Sequence, residues 1–201
     1  MAIIPLSAAR HGKTRVRPRP DTAYGAQHNH AVLGLSEIQL AGADYPLLLL
    51  KDEQTGAFSI VALFGFQPGS NLYVVDSHWL ATWVPGVMLR YPFYHDETAP
   101  HGLAIDEASQ LLDDALGEPL FNNGEPTAFT RSVAQTLAAL IADVAAAKTL
   151  AEALAAHGVL RPLALVLTEA DGHEHQIEGL YAVSQAALDT LADDAVLNLH
   201  H

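Results

Sequence analysis

Residues 79–93 read Trp-Leu-Ala-Thr-Trp-Val-Pro-Gly-Val-Met-Leu-Arg-Tyr-Pro-Phe. Both tryptophans of the chain, Trp79 and Trp83, fall here, and the aromatic and aliphatic side chains are dense enough to bury a large apolar area in one place. A single cation, Arg90, sits among them, with no acidic residue between Asp76 and Asp96. A guanidinium in such surroundings requires an anion from a distant point of the chain or from a ligand. The pair Pro85-Gly86 forbids one long element, so the stretch is expected to be a loop, a short helical turn and a strand running through Arg90 to His95.

Outward from that stretch, strand signals dominate the first half. Leu47–Lys51, Phe58–Phe66 and Leu72–Asp76 read as three successive strands, separated by turns at Gln54-Thr55-Gly56 and Pro68-Gly69-Ser70-Asn71. Turns this short favour antiparallel neighbours. Ser36 followed by Glu37 suggests the cap of a short helix ending near Asp44. Leu103–Asp106 forms a further short strand, and turns at Gly117-Glu118-Pro119 and around Asn123-Gly124 flank Leu120-Phe121.

The second half is helical. Phe129, Val133, Leu137, Leu140, Ile141 and Val144 recur at three-to-four spacing, with Thr127 or Glu125 near the start. The next leucines, Leu150 and Leu154, fall out of that phase near Lys148. Two consecutive helices or a kink are therefore predicted, with Gly158 closing the second in a left-handed cap before Pro162. Leu163–Thr168 and His173–Glu178 form a hairpin, preferably with a three-residue loop that sets Leu163, Leu165 and Leu167 opposite Ile177, His175 and His173. Ser184–Leu199 is helical in part.

Together these elements predict a single α+β domain, an antiparallel sheet of five to seven strands packed against the helices of the C-terminal half. Residues 1–22, with Pro5, Pro18 and Pro20 among arginines, read as an extended basic arm, and residues 23–201 as the domain. The chain has 201 residues, enough to bury a core with neither disulfide nor metal. It carries 10 basic and 23 acidic side chains, yet five basic ones precede Asp21, so an arm of +5 adjoins a body of −18. Such a body repels polyanions, which argues against a nucleic-acid surface; the arm lies on its own acidic body or grips an acidic partner. The absence of cysteine fits a reducing compartment. No signal-peptide order and no apolar run long enough to span a membrane are visible, and a cytoplasmic location is expected.

Several ordered stretches resemble the bacterial SapC family. They are the Trp-containing run that passes through a proline into Arg90-Tyr91-Pro92-Phe93, then Tyr45-Pro46, Gly65 through Pro68-Gly69 to Asn71-Leu72, Ala104-Ile105-Asp106-Glu107, Gly117-Glu118-Pro119-Leu120-Phe121, Gly124-Glu125-Pro126-Thr127 and Gly179-Leu180-Tyr181. The resemblance covers roughly residues 24–199. Proteins similar to this one are often encoded beside flavin-dependent halogenase-like proteins and outer-membrane receptors, which implies an accessory role in such a system.

For chemistry, eleven histidines invite a metal. His28 and His30, like His173 and His175, have the two-residue spacing that places both rings on one side of an extended segment. A third ligand would have to come from Glu37, His78, His95 or His101, and no cofactor or metal is expected. No nucleophile elbow, His-Glu-x-x-His or phosphate-cradling glycine loop occurs. The adjacent carboxylates Asp113-Asp114 and Asp193-Asp194 read as caps or solvated faces.

Arg90 has two readings: a buried ion pair with Asp106 or Glu107, or a grip on a carboxylate or phosphate in a pocket walled by Trp79, Trp83 and Tyr91. The leading expectation is a non-catalytic binding or adaptor protein. It would use Arg90, Tyr91, Trp79, Trp83, His78, Asn71 and Asp106 toward a protein partner or small anionic ligand. The alternatives are an enzyme, with or without metal assistance, around Arg90, Tyr91 and His78, and a structural protein of surface-layer type.

Overall fold

The structure, a computed structural model, describes residues 2–168, 174–192, 195 and 196. The basic N-terminal segment is woven into the fold and is not a free arm. Strand β1 (Ile3–Pro5) pairs antiparallel with residues 104–106, one helical turn follows as α1 (Ala8–His11), and β2 (Arg15–Val16) begins a second small sheet. Leu6 and Val16 are fully buried in the main core. Prolines and arginines dominate the composition of this segment, and they mask the widely spaced apolar side chains that dock it.

Helix α2 (Thr22–Ala26) is capped by Asp21, whose carboxylate accepts from the Tyr24 N–H at 2.9 Å. After β3 (His30–Val32), a 3-10 turn at Leu35–Glu37 leads into α3 (Ile38–Asp44), which ends where the sequence placed it. The cap is Gly34, paired with Glu37, and not Ser36. Strands β4 (Leu47–Lys51) and β5 (Phe58–Leu63) pair antiparallel along their length. β5 stops short of Phe66 because the chain folds back there: a Cβ on Gly65 would lie 2.1 Å from the Ser70 carbonyl oxygen. The expected strand at 72–76 shrinks to β6 (Val74–Val75), since Asp76 and Ser77, both at positive φ, turn the chain at once into β7 (His78–Trp79).

Helix α4 (Gly86–Leu89) is the predicted helical turn. Then come β8 (Phe93–His95) and β9 (Leu103–Asp106), which with β1 form a sheet ordered β1-β9-β8. Short ladders β10 (Leu112–Asp113) and β11 (Glu118–Pro119) flank β2, and β12 (Phe121–Asn122) pairs with β13 (Glu125–Pro126).

Helix α5 (Ala128–Ala156) is one unbroken helix of 29 residues, where a break or kink near Lys148 was expected. The Thr127 hydroxyl caps it by accepting from the Thr130 N–H. Its buried positions pass from Thr130 and Leu137 to Ala147 and Ala151 because its neighbours change, from β8, β11, β13 and the 3-10 turn to β5. The phase slip marks that change of partner, and alanine's helix propensity carries the backbone through it.

Gly158 is left-handed as predicted, at φ +69°. Strands β14 (Leu160–Thr168) and β15 (Glu174–Val183) complete a five-stranded antiparallel sheet ordered β14-β15-β4-β5-β3, and α6 (Gln185–Leu188) follows. The hairpin register differs from the expected one by two residues, with Leu165 opposite Ile177 and Leu167 opposite His175. A slip of two leaves the two-residue alternation of the strands in phase with the expected one. Nearer the sheet a bulge between Leu163 and Leu165 admits Gly179 at φ +78° and shifts the pairing by one more, so that Leu163 meets Leu180. The loop of this hairpin and its first residue His173, the pair Asp193-Asp194 and the terminal Leu199-His200-His201 lie outside the described residues.

Candidate functional site

The Trp79–Phe93 block divides into two halves with different surroundings. The tryptophan half is organised by Tyr45 at the end of α3. The Trp79 indole N–H donates to the Tyr45 hydroxyl at 2.7 Å, and that hydroxyl donates to the Trp83 carbonyl oxygen. The Trp83 N–H donates to the Asp44 carboxylate at 2.9 Å. Burial pushes the Tyr45 phenol up to about 12, against the pull of the indole donor, so it stays protonated and able to donate. Trp79 stands edge-on to Phe64 and lies so close to Gly25 that a Cβ there would be 2.3 Å from the indole ring. Asn71 joins this cluster through its side-chain amide, which donates to the Gly25 carbonyl and accepts from the Tyr73 N–H, both at 2.9 Å.

The arginine half faces elsewhere. Arg90 stacks over the Tyr94 ring at 4.3 Å and donates to the Phe93 carbonyl oxygen at 2.9 Å. The ion pair with Asp106 or Glu107 is not formed, because other groups take those acids. Asp106 is buried and accepts from the N–H groups of Ala2 (2.9 Å) and Ala108 (3.1 Å) and from the Tyr91 hydroxyl (3.3 Å). Burial raises its pKa, but these donors outweigh it and hold the carboxyl below the ordinary value. Glu107 holds Arg10 in a two-pronged ion pair, at 2.5 and 2.6 Å, and contacts the His11 ring at 3.2 Å. Tyr91 stacks on Tyr24 with ring centroids 4.0 Å apart.

A cleft of about 740 Å³ opens between the segment Val16–Pro20, the α4 region and one face of α5. Arg90 and Tyr91 line it, together with Arg17 and Arg19 from the N-terminal segment. Trp79, Trp83, His78, Asn71 and Asp106 do not line this cleft, whose apolar wall is made by Leu89, Phe93, Phe129, Val133, Leu137 and Leu140. Arg17 and Arg19 fell in what read as an arm, and only the burial of Val16 beside them signals their place.

Glu37 and Asp143 also reach the cleft, and donors of the protein itself satisfy both. Glu37, itself buried, accepts from the N–H groups of Gly34 and Gly86, each at 2.8 Å. Asp143 accepts from the Ser36 N–H at 3.1 Å and its hydroxyl at 2.6 Å. Gly86 allows the α4 region to close on α5, since a Cβ would sit 3.0 Å from both Glu37 Oε1 and a Leu140 methyl. The guanidiniums contrast with these acids: among the described residues, none of Arg17, Arg19 and Arg90 lies within ion-pair distance of a carboxylate.

His78 is exposed on the β6–β7 turn, its ring against the Asp76 carbonyl. It does not converge with Arg90 and Tyr91 at the cleft. His28 and His30 turn to different partners, the Tyr24 carbonyl and the Asn29 side chain; burial, aided by the nearby His28, pushes His30 down. Among the described residues no three His, Cys, Asp or Glu side chains gather as metal ligands. The Asp113 carboxylate accepts from the N–H groups of Ala115 and Leu116, the turn-capping role expected for it. Among the described residues no helix is long and apolar enough to cross a membrane.

The family model described as SapC matches residues 6–201. No curated protein and no solved structure matches the chain.

Proposed function

The chain belongs to the SapC family, and from that premise we propose that it is a non-catalytic binding protein. Its site is the cleft between Val16–Pro20, Arg90 and α5, and its ligand is a small molecule with an apolar body and a negative end. The observation that carries this reading is the imbalance inside the cleft. Both carboxylates are occupied by donors of the protein itself, while three guanidiniums at an apolar opening form no contact ion pair among the described residues. Arginine at the mouth of an apolar cleft pairs with carboxylate or phosphate in two-pronged geometry, and the volume falls in the ligand-sized range of roughly 300–1,000 Å³. The carboxylates of the cleft and the Tyr91 hydroxyl are already engaged, and its arginines hold their protons, so the arrangement favours holding a ligand over transforming it. Beside a flavin-dependent halogenase-like enzyme, such a protein would act as an accessory that holds an anionic small molecule.

An anionic dye that fluoresces on entering apolar clefts, 8-anilinonaphthalene-1-sulfonate, tests the reading. Folded wild-type protein should bind it, and the double variant Arg17→Gln/Arg90→Gln should lose at least ten-fold in affinity with an unchanged unfolding transition. Stability should hold because each arginine gives up one hydrogen bond to a carbonyl, and Arg90 one ring contact, not a buried ion pair. Equal dye binding by wild type and a folded double variant, or none by wild type, would overturn it.

A further inference from the structure

The cleft is long as well as apolar. Its α5 wall runs from Phe129 to Asp143, fourteen residues on, so at ~1.5 Å per residue it extends about 21 Å. Phe129, Val133, Leu137 and Leu140 make a continuous apolar floor at three-to-four spacing. Ser132, Thr136 and Ala139 follow the same spacing one step round the helix, and all three are small and exposed, which leaves the trough open along its length. A compact ligand would cover only part of this floor.

The two ends differ in charge. β2 is tied to the first turn of α5: the Leu120 N–H donates to the Thr14 carbonyl at 3.1 Å, and the Thr130 hydroxyl donates to the Leu120 carbonyl at 2.6 Å. Arg17 comes directly after β2, at the end where α5 begins, whereas Glu37 and Asp143 stand at the far end. A negative group is therefore favoured beside Arg17 and disfavoured at the other end. The protein engages the Arg17 guanidinium only in part, and Asp113, whose carboxyl it helps the Ala115 and Leu116 N–H groups to hold below the ordinary value, is its acidic neighbour. One of the terminal nitrogens of Arg17 donates to the Gln110 carbonyl, but its Nε is shut away from solvent and donates to nothing among the described residues.

We propose that the trough takes an elongated monoanion of the long-chain carboxylate class. Its carboxylate is held by the charge of Arg17 at that end, and its hydrocarbon chain lies along Phe129, Val133, Leu137 and Leu140. The proposal rests on the anion-binding reading above and adds to it the shape of the ligand and the end at which its charge is held.

Displacement of the bound dye by hexadecanoate, octanoate and hexadecan-1-ol tests it. Each further methylene taken out of water is worth about four-fold in affinity, so hexadecanoate should displace the dye at least a hundred-fold more effectively than octanoate. It should also outdo hexadecan-1-ol by ten-fold or more. Arg17→Met should abolish the preference for the acid over the alcohol and leave the dependence on chain length. Thr136→Trp, at an exposed helix position that the fold tolerates, should block the trough and abolish the dependence on length. Octanoate equal to hexadecanoate, or an acid preference that survives Arg17→Met, would overturn the elongated-carboxylate proposal while leaving the dye-binding reading intact. Failure of the dye itself to bind would overturn both.

Discussion

Replacing Glu37 by alanine should destabilise the protein well beyond the loss of an exposed charge. Glu37 is buried, and its two carboxylate oxygens hold two N–H groups 52 residues apart in sequence, Gly34 at the start of the 3-10 turn and Gly86 at the start of α4. Truncation to alanine leaves both donors without an acceptor, and an unsatisfied buried donor costs about 1–3 kcal/mol. Gly34 is buried and bears the full cost; Gly86 is half-buried at the cleft, where water relieves part of it. The sum is about 3 kcal/mol, which for a chain of this size is a fall of about 6–12 °C in Tm. Glu37→Gln keeps one acceptor and turns an NH2 group against the second donor, so it should lose about half as much. Urea denaturation of the two variants beside Glu53→Ala, an exposed turn position expected within about 0.5 kcal/mol of wild type, measures the series. A Glu37→Ala variant within about 0.5 kcal/mol of wild type, or a Glu37→Gln variant as stable as wild type, would refute the two-donor account.

Gly25→Ala should destabilise by about 1–3 kcal/mol, although alanine is the better helix former, because its methyl meets the Trp79 ring; a shift in tryptophan emission as the indole leaves Tyr45 would report it. Lys148→Pro tests the continuity of α5: an interior proline costs about 3 kcal/mol in an unbroken helix and far less at a kink. Denaturant unfolding reads this directly, and a cost below about 1 kcal/mol would restore the break. Asp106 fixes a pH dependence for the docking of β1. Its folded pKa lies below the ordinary value of 3.8, so its contribution is complete above that value and is lost as pH falls through the folded pKa. Hydrogen exchange at Ala2 to Leu6 should accelerate below about pH 4 in wild type. In Asp106→Asn the same exchange should be fast at neutral pH, and equal protection in the two proteins would count against the tether.

What the sequence disclosed depended on how far each signal reaches along the chain. The span of α3 to Asp44, the strand Leu103–Asp106 and the left-handed Gly158 are set by neighbours within a turn or two, and all were legible. The continuity of α5 was not, because the phase slip near Lys148 looks the same whether a helix breaks or changes partners, and the strands that decide this lie up to a hundred residues away. Arg90 shows the same limit at the site. Its isolation from acids was visible, but Asp106 was already engaged by Ala2, and Glu107 by Arg10, both in a segment whose prolines and charges read as an arm. Arg17 and Arg19 were missed for the same reason. The clue was Val16, an apolar residue between two arginines with no reason to be there unless the segment docks.

A net charge of −13 would by itself argue against an anion site. The charges that matter at the cleft are the nearest ones, since at physiological ionic strength interactions between exposed charges fade beyond about 8 Å. The N-terminal arginines separate on this scale into two uses. Arg10 is neutralised by Glu107, which fastens the segment to β9, whereas Arg17 and Arg19 are carried past β2 to the cleft and form no contact ion pair among the described residues, although Asp113 lies within electrostatic reach of Arg17. The same docking that buries Leu6 and Val16 thus places positive charge at the end of an apolar trough where α5 begins, and donors of the protein itself occupy the acids at the other end. A uniformly acidic surface would repel every anion alike; this arrangement repels extended polyanions and leaves one local, asymmetric place for a single negative group with an apolar tail.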